Sequence, residues 1–191
     1  MCASNVFELI FQGRTTEAYE AARQVYVADK SPYASTAMYL AAVDMQQSLL
    51  VDGDTAEADK IARALQRLLS QTSEHLLLGC WGEELAVRYL QQKGYDIVER
   101  DWHSNHRDID IIAHLDGTLV FVEVKTRSNR DFSEPESSVN YQKQKNLRQS
   151  VNHYIKSKCI DLPWRFDVIT IVGKTGCKEP EINHIEDFFL T

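Results

Sequence analysis

Residues 107–127 read RDIDIIAHLDGTLVFVEVKTR, from Arg107 to Arg127. Two β-branched, apolar runs flank Asp116-Gly117, and that pair favours a two-residue hairpin loop because both central positions of a type I′ turn need positive φ. With this loop Leu115 faces Thr118, and the rest of the register follows: Ile112 opposite Phe121, Asp110 opposite Glu123, Asp108 opposite Lys125. Side chains alternate along a strand, so these residues share one face while Ile109, Ile111, Val120, Val122 and Val124 turn to the other, toward core. Directly opposed Cβ atoms lie about 4.5–5.5 Å apart, where like charges repel. A cation between Asp110 and Glu123 removes the repulsion. Two carboxylates, the backbone carbonyl of Val124 and water make a hard-oxygen site suited to Mg²⁺ (or Mn²⁺) at about 2.0–2.1 Å. Lys125 then stands beside a metal-bound water, and the set has the parts needed to hydrolyse a phosphodiester. The same pattern also fits a hairpin with one solvated face, in which Lys125 pairs with Asp108.

The chain around this hairpin has 191 residues, 43% apolar and 26% charged, enough apolar material for a globular core. There is no apolar run of about 18 residues and no basic leader at the N-terminus, so neither a membrane span nor a secretory signal is expected, and a cytoplasmic location is. Cys2, Cys80, Cys159 and Cys177 are scattered without C-x-x-C pairs, which argues against a disulfide framework or a zinc knot. The net charge of −7 does not advertise nucleic acid, so any such partner needs a local basic surface.

Two grammars divide the chain, with the boundary expected between residues 75 and 76. Within 1–75, GRTTEAYEAARQVY from Gly13 is echoed by GDTAEADKIARALQ from Gly53. In each copy a glycine ends one helix and Thr15 or Thr55 caps the next, which gives two tetratricopeptide-like helix-turn-helix units, a helical repeat. Such an array serves equally as a cap on apolar surface or as a groove for a protein partner. Residues 76–191 open with a helix ending at Gly94. Strands follow at Tyr95–Trp102, Asp108–Leu115 and Thr118–Arg127, then a helix over 137–158 and strands at Arg165–Val172 and Glu181–Ile185. This α-β-β-β-α-β order predicts an α/β fold, a mixed sheet flanked by helices.

Asp110, followed by Glu123-Val124-Lys125, resembles the signature of the PD-(D/E)XK nucleases, whose restriction-endonuclease-like core has the same element order. LGCWGEELAVRYLQQKGYDIVERDW, DIDIIA, LVFVEVKTR, SSVNYQKQKNLRQSVNHYI and RFDVITI, in this order, closely resemble the YraN-like bacterial family, itself similar to archaeal Holliday-junction-resolving nucleases. The resemblance covers about residues 76–191. It implies a magnesium-dependent endonuclease acting on branched or junction DNA, with Asp110, Glu123 and Lys125 catalytic. It also implies that Glu83, in GEELA, is a further acid from the first helix, with Glu84 its neighbouring substitute. Junction-resolving relatives act as two-fold homodimers. Where the family reads Gly-Glu-Ile-Asp this chain has Arg107-Asp108-Ile109-Asp110, one methylene shorter at 108 and more crowded at 107.

Neither part of the chain is basic: six cations oppose ten acids up to residue 75, and fifteen oppose eighteen beyond it. Phosphate contacts therefore fall to Arg127 and Arg130 after the hairpin and to Lys143, Lys145 and Arg148 on the next helix. Lys143 lies on the Val139, Leu147, Val151, Ile155 stripe, from which it either snorkels to water or projects over the carboxylates. Contacts of this kind hold the backbone without reading bases, so binding should be salt-sensitive. A non-catalytic nucleic-acid-binding adaptor, recruiting a protein through its helical part, is the alternative. Trp102 and Tyr141 are expected in packing, His103 and His106 carry no assigned role, Arg165 and Asp167 form a structural ion pair, and VGKTG at 172–176 lacks the glycine and the helix of a P-loop.

Overall fold

A computed structural model describes residues 2–104, 107–129 and 141–188. It resolves into two compact units that divide at Glu84/Leu85. The division falls inside one helix, past the change of grammar at residue 75.

The first unit is helical: α1 Ala3–Phe11, α2 Thr15–Ala28, α3 Pro32–Asp52, α4 Thr55–Gln71 and the first half of α5, Glu74–Gln92. α3 packs against α1, α2 and α4. Small side chains make the seams: Ala18, Ala21 and Ala22 of α2, Ala34, Ala37, Ala41 and Ala42 of α3, and Ala58 of α4 are all buried. Gly53 closes α3 in the left-handed region at φ 83°, which a side chain would resist. The caps differ from expectation. Thr15 and Thr55 are the first helical residues, and the capping positions are Arg14 and Asp54. Arg14 makes no side-chain cap, whereas the Asp54 carboxylate accepts from the Glu57 amide at 3.2 Å and so satisfies one of the donors a helix start leaves over. Asp54→Ala is expected to cost about 1 kcal/mol, read as a lower urea midpoint at unchanged m-value.

The second unit is a five-stranded mixed sheet in the order β1-β2-β3-β4-β5. The strands are β1 Asp96–Ser104, β2 Arg107–Leu115, β3 Thr118–Arg127, β4 Trp164–Val172 and β5 Glu181–Ile185. β1, β2 and β3 form an antiparallel meander. A crossover through α6, Tyr141–Ser157, sets β4 parallel to β3, and β5 returns antiparallel. The hairpin loop is as expected, with φ of 46° at Asp116 and 79° at Gly117.

One face of the sheet packs on α6, where Leu147, Val151 and Tyr154 meet Ile112, Leu119, Phe121, Phe166 and Val168. Trp102 joins that layer through an edge contact with Tyr154, in the packing role expected of it. The opposite face carries Asp167, fully buried, with His184 of β5 and Tyr89 of α5, whose rings meet edge-on at 5.7 Å. Asp167 takes the expected ion pair from Arg165 at 3.0 Å and further bonds from His184 at 3.0 Å and the Asp187 amide at 2.9 Å. Among the described residues no disulfide forms, and no helix is long and apolar enough to cross a membrane.

Candidate active site at the fork between β2 and β3

The β2–β3 ladder follows the expected register from Leu115↔Thr118 to Ile111↔Val122, and there it ends. Beyond that point the two strands take different neighbours. Arg107, Asp108 and Ile109 pair with β1, while Glu123 to Arg127 pair with β4. The sheet forks at Asp110 and Glu123.

β1 is irregular opposite the fork. Asp101 has φ 51°, a conformation that asparagine and aspartate tolerate better than most residues, and it stands between the pairs Arg100↔Ile111 and Trp102↔Ile109. Strict alternation also breaks in the facing strand. Ile109, expected on the face of Ile111, packs instead with Ile112 and Phe121 on the α6 side. Asp110, opposite the kink, reaches across the opening, and its Oδ2 accepts from the Val124 amide at 2.7 Å. In a continued antiparallel ladder that amide would bond to the backbone of residue 109. The amide and carbonyl of a strand residue project to the same edge, so the Val124 carbonyl faces the same opening.

Glu123 lies on the α6 side of β3 with Phe121 and is 3% exposed. The Lys125 ammonium donates to Glu123 Oε1, two residues along the same face. Two expectations change. Asp110 and Glu123 are not rungs of one ladder, and each carboxylate meets a protein donor, so mutual repulsion does not by itself demand a cation. Lys125 pairs with Glu123, not with Asp108. Asp108 bonds instead to His103 Nδ1 at 2.8 Å, and His103 Nε2 lies 3.2 Å from Asp101. These two acids, Asp108 foremost, hold the His103 imidazole above its usual range. The residue that replaces the family's glutamate therefore belongs to an exposed cluster beside the kink.

Glu83 sits on α5 in the first unit, partly buried, and accepts a hydrogen bond from the Tyr33 hydroxyl of α3. Glu84 beside it is buried. Sequence reading missed Tyr33, fifty residues away with no motif to mark it. Among the expected phosphate contacts Arg127, Lys145 and Arg148 are exposed. The backbone of Lys143 lies in the first turn of α6, its side chain is outside the described atoms, and Arg130 and His106 lie outside the described residues.

Asp110, Glu123 and the Val124 carbonyl are hard oxygen donors of the kind Mg²⁺ or Mn²⁺ takes. Among the described residues no group of three or more His, Cys, Asp or Glu gathers around one point. An ion held here would therefore draw two carboxylates from the fork and complete its shell with backbone oxygen and water.

A family model described as "Uncharacterised protein family UPF0102" matches residues 82–171. A UPF0102 protein of Bacteroides fragilis is 45% identical over 117 residues, which cover 61% of this chain and 95% of the relative. The chain belongs to UPF0102. The Flavobacterium psychrophilum UPF0102 protein is also 45% identical over 117 residues, with 97% of its length covered. That of Syntrophomonas wolfei is 42% identical over 113 residues, with 96% covered. UPF0102 is a PD-(D/E)XK nuclease-like family, as the motifs implied. These relatives are almost used up by the matched stretch, so they have no room for a helical unit like the one that precedes the sheet here.

Proposed function

We propose that this UPF0102 protein is a divalent-metal-dependent endonuclease of PD-(D/E)XK type that hydrolyses phosphodiester bonds in structured or branched DNA. The fork carries the reading: Asp110 reaches the backbone one residue from Glu123, and Glu123 holds the Lys125 ammonium on the same face. In this reading the sheet and its crossover helix are a restriction-endonuclease-like core, and the helices before it are a tetratricopeptide-like repeat. When bound, Mg²⁺ or Mn²⁺ would supply Lewis acidity toward a phosphoryl oxygen and lower the pKa of a water.

The chain's own residues do the rest. Asp110, Glu123 and the Val124 carbonyl hold the ion's protein side. Lys125 orients the nucleophile and offsets negative charge that develops on the phosphoryl oxygens. Arg127, Lys145 and Arg148, with Lys143 and Arg130, grip phosphates without reading sequence. Two cuts in a four-way junction call for two such sites, hence a homodimer.

The test is full-length protein with Mg²⁺ or Mn²⁺ on linear, flapped and four-way-junction DNA. Cleavage of the branched forms is expected, and no cleavage of any form sinks the enzymatic reading. On the same DNAs, Lys145→Ala with Arg148→Ala should weaken binding uniformly and flatten the plot of log K against log salt by about one per side chain.

A second reading, a non-catalytic nucleic-acid-binding adaptor, draws on the same contacts. Each carboxylate already has a protein donor, the Val124 amide for Asp110 and the Lys125 ammonium for Glu123. Calorimetry separates the two: the nuclease binds Mn²⁺ and Asp110→Asn abolishes that heat, whereas the adaptor shows no such heat to lose.

A further inference from the structure

The first unit carries a groove that the proposed hydrolysis does not use. α2 and α4 both pack on α3, and between them runs a cleft of about 410 Å³ whose floor includes Met38 and Ala42 of α3. Its α4 wall runs from Glu57 through Lys60, Ala64 and Arg67 to Gln71, a stripe at helical spacing. At 1.5 Å rise per residue that wall is about 21 Å long, a reach suited to a peptide of about 14 helical residues more than to a compact metabolite. The α2 wall contributes Tyr19 and Tyr26, both half-buried, with the Arg23 guanidinium 5.9 Å above the Tyr19 ring.

Charge is segregated into this cleft. Of the six cations among the first 75 residues, Arg23, Lys60 and Arg67 line it, against one of the ten acids, Glu57. Lys60 pairs with Glu57 at 2.6 Å, which leaves two guanidiniums as the excess on a unit that is otherwise acidic. An apolar floor between tyrosines, rimmed by arginine, matches a ligand that has apolar side chains on one side and carboxylates on the other. The UPF0102 relatives are covered almost to their ends without this unit, so the groove is an addition to the family's common domain.

We propose that the groove binds an acidic, amphipathic peptide segment of a partner protein. Apolar side chains of the peptide lie on Met38 and Ala64, and its carboxylates meet Arg23 and Arg67. This assignment is independent of the hydrolytic reading.

The test titrates full-length protein into a fluorescein-labelled helical peptide of about 14 residues, with Leu or Phe at every third or fourth position and Glu or Asp between. The acidic peptide is expected to bind, and a counterpart with Lys for Glu and Asp to bind at least about tenfold more weakly. Arg23→Glu with Arg67→Glu should cost at least about tenfold in affinity, while Arg63→Glu, exposed on α4 outside the groove, stays within about twofold. Ala64→Trp fills the cleft without altering charge and should also abolish binding, with unchanged helical circular dichroism showing that the variants fold. Equal binding of acidic and basic peptides, no binding of the acidic one, full binding by either groove variant, or displacement of the peptide by a DNA duplex more readily than by unlabelled peptide would each overturn the proposal.

Discussion

Lys125→Ala is expected to lower metal-dependent DNA cleavage by at least about a hundredfold, the usual effect of deleting one preorganised donor from a site where charge develops. The same substitution has a structural effect that must be separated from the chemical one. Glu123 is 3% exposed and its Oε1 takes the Lys125 ammonium. Removing that ammonium takes a charged partner from a buried carboxylate, and breaking a buried ion pair costs about 3–5 kcal/mol. A fall in activity alone would therefore not distinguish a lost reagent from a damaged fold. Replacing both charges does. Lys125→Met with Glu123→Gln removes both charges of the pair together, and exchanges of this kind leave stability near the parent value. The double variant should melt close to wild type and remain inactive. Recovery of cleavage in it would show that neither Lys125 nor Glu123 takes part in the reaction, and the nuclease reading would lose both residues.

The second large effect concerns stability. Asp167 is fully buried on the face of the sheet away from α6, and it accepts from Arg165, His184 and the Asp187 amide. Its ionised carboxylate can only accept, so His184 gives it the Nε2 hydrogen. Asp167→Ala leaves Arg165 and His184 facing a gap, and the expected loss is about 3–5 kcal/mol. For a unit of this size that lowers Tm by more than about 10 °C. The pH dependence has a defined sign. Burial pushes the Asp167 carboxyl up, but the bonds from His184, Arg165 and Asp187 outweigh it and hold the group below its usual range. Stabilisation from such a group is complete above the unfolded value, about 3.9, and is lost as pH falls through the lowered folded value. The gap in stability between wild type and Asp167→Ala should be constant near neutrality and shrink only in acid below pH of about 4. A gap that instead closed between pH 6 and 8 would assign the effect to a different group.

The hairpin register was legible in the sequence because Asp116-Gly117 admits one tight loop, and a two-residue loop fixes every rung after it. It held for all five pairs down to Ile111↔Val122. The end of the ladder was not legible, because it involves a positive φ at Asp101 in the neighbouring strand and a side chain at Asp110 in place of a backbone rung, and an aspartate in a strand announces neither. With it go the displaced Ile109, the carboxylate of Asp110 on a backbone amide, and the separation of Asp110 from Glu123 in the pairing. The caps lie one residue earlier than the spacing suggests, Thr15 and Thr55 being the first residues of helices capped at Arg14 and Asp54. Tyr33 with Glu83 and His184 with Asp167 are contacts over fifty and seventeen residues, and neither periodicity nor spacing carries information about pairs so far apart.

The Asp110 carboxylate stands where the backbone of β2 would otherwise complete a rung, so one side chain both wedges the strands open and presents an oxygen in the gap it makes. Under the proposed nuclease reading, architecture and reactivity are thereby tied to a single position. Alanine there strands the Val124 amide hydrogen and invites the strands to zip shut, whereas asparagine keeps an acceptor in place while discarding the negative charge. Any lineage that gave up the chemistry but kept the domain would be expected to settle on a neutral acceptor at 110 in preference to an apolar residue.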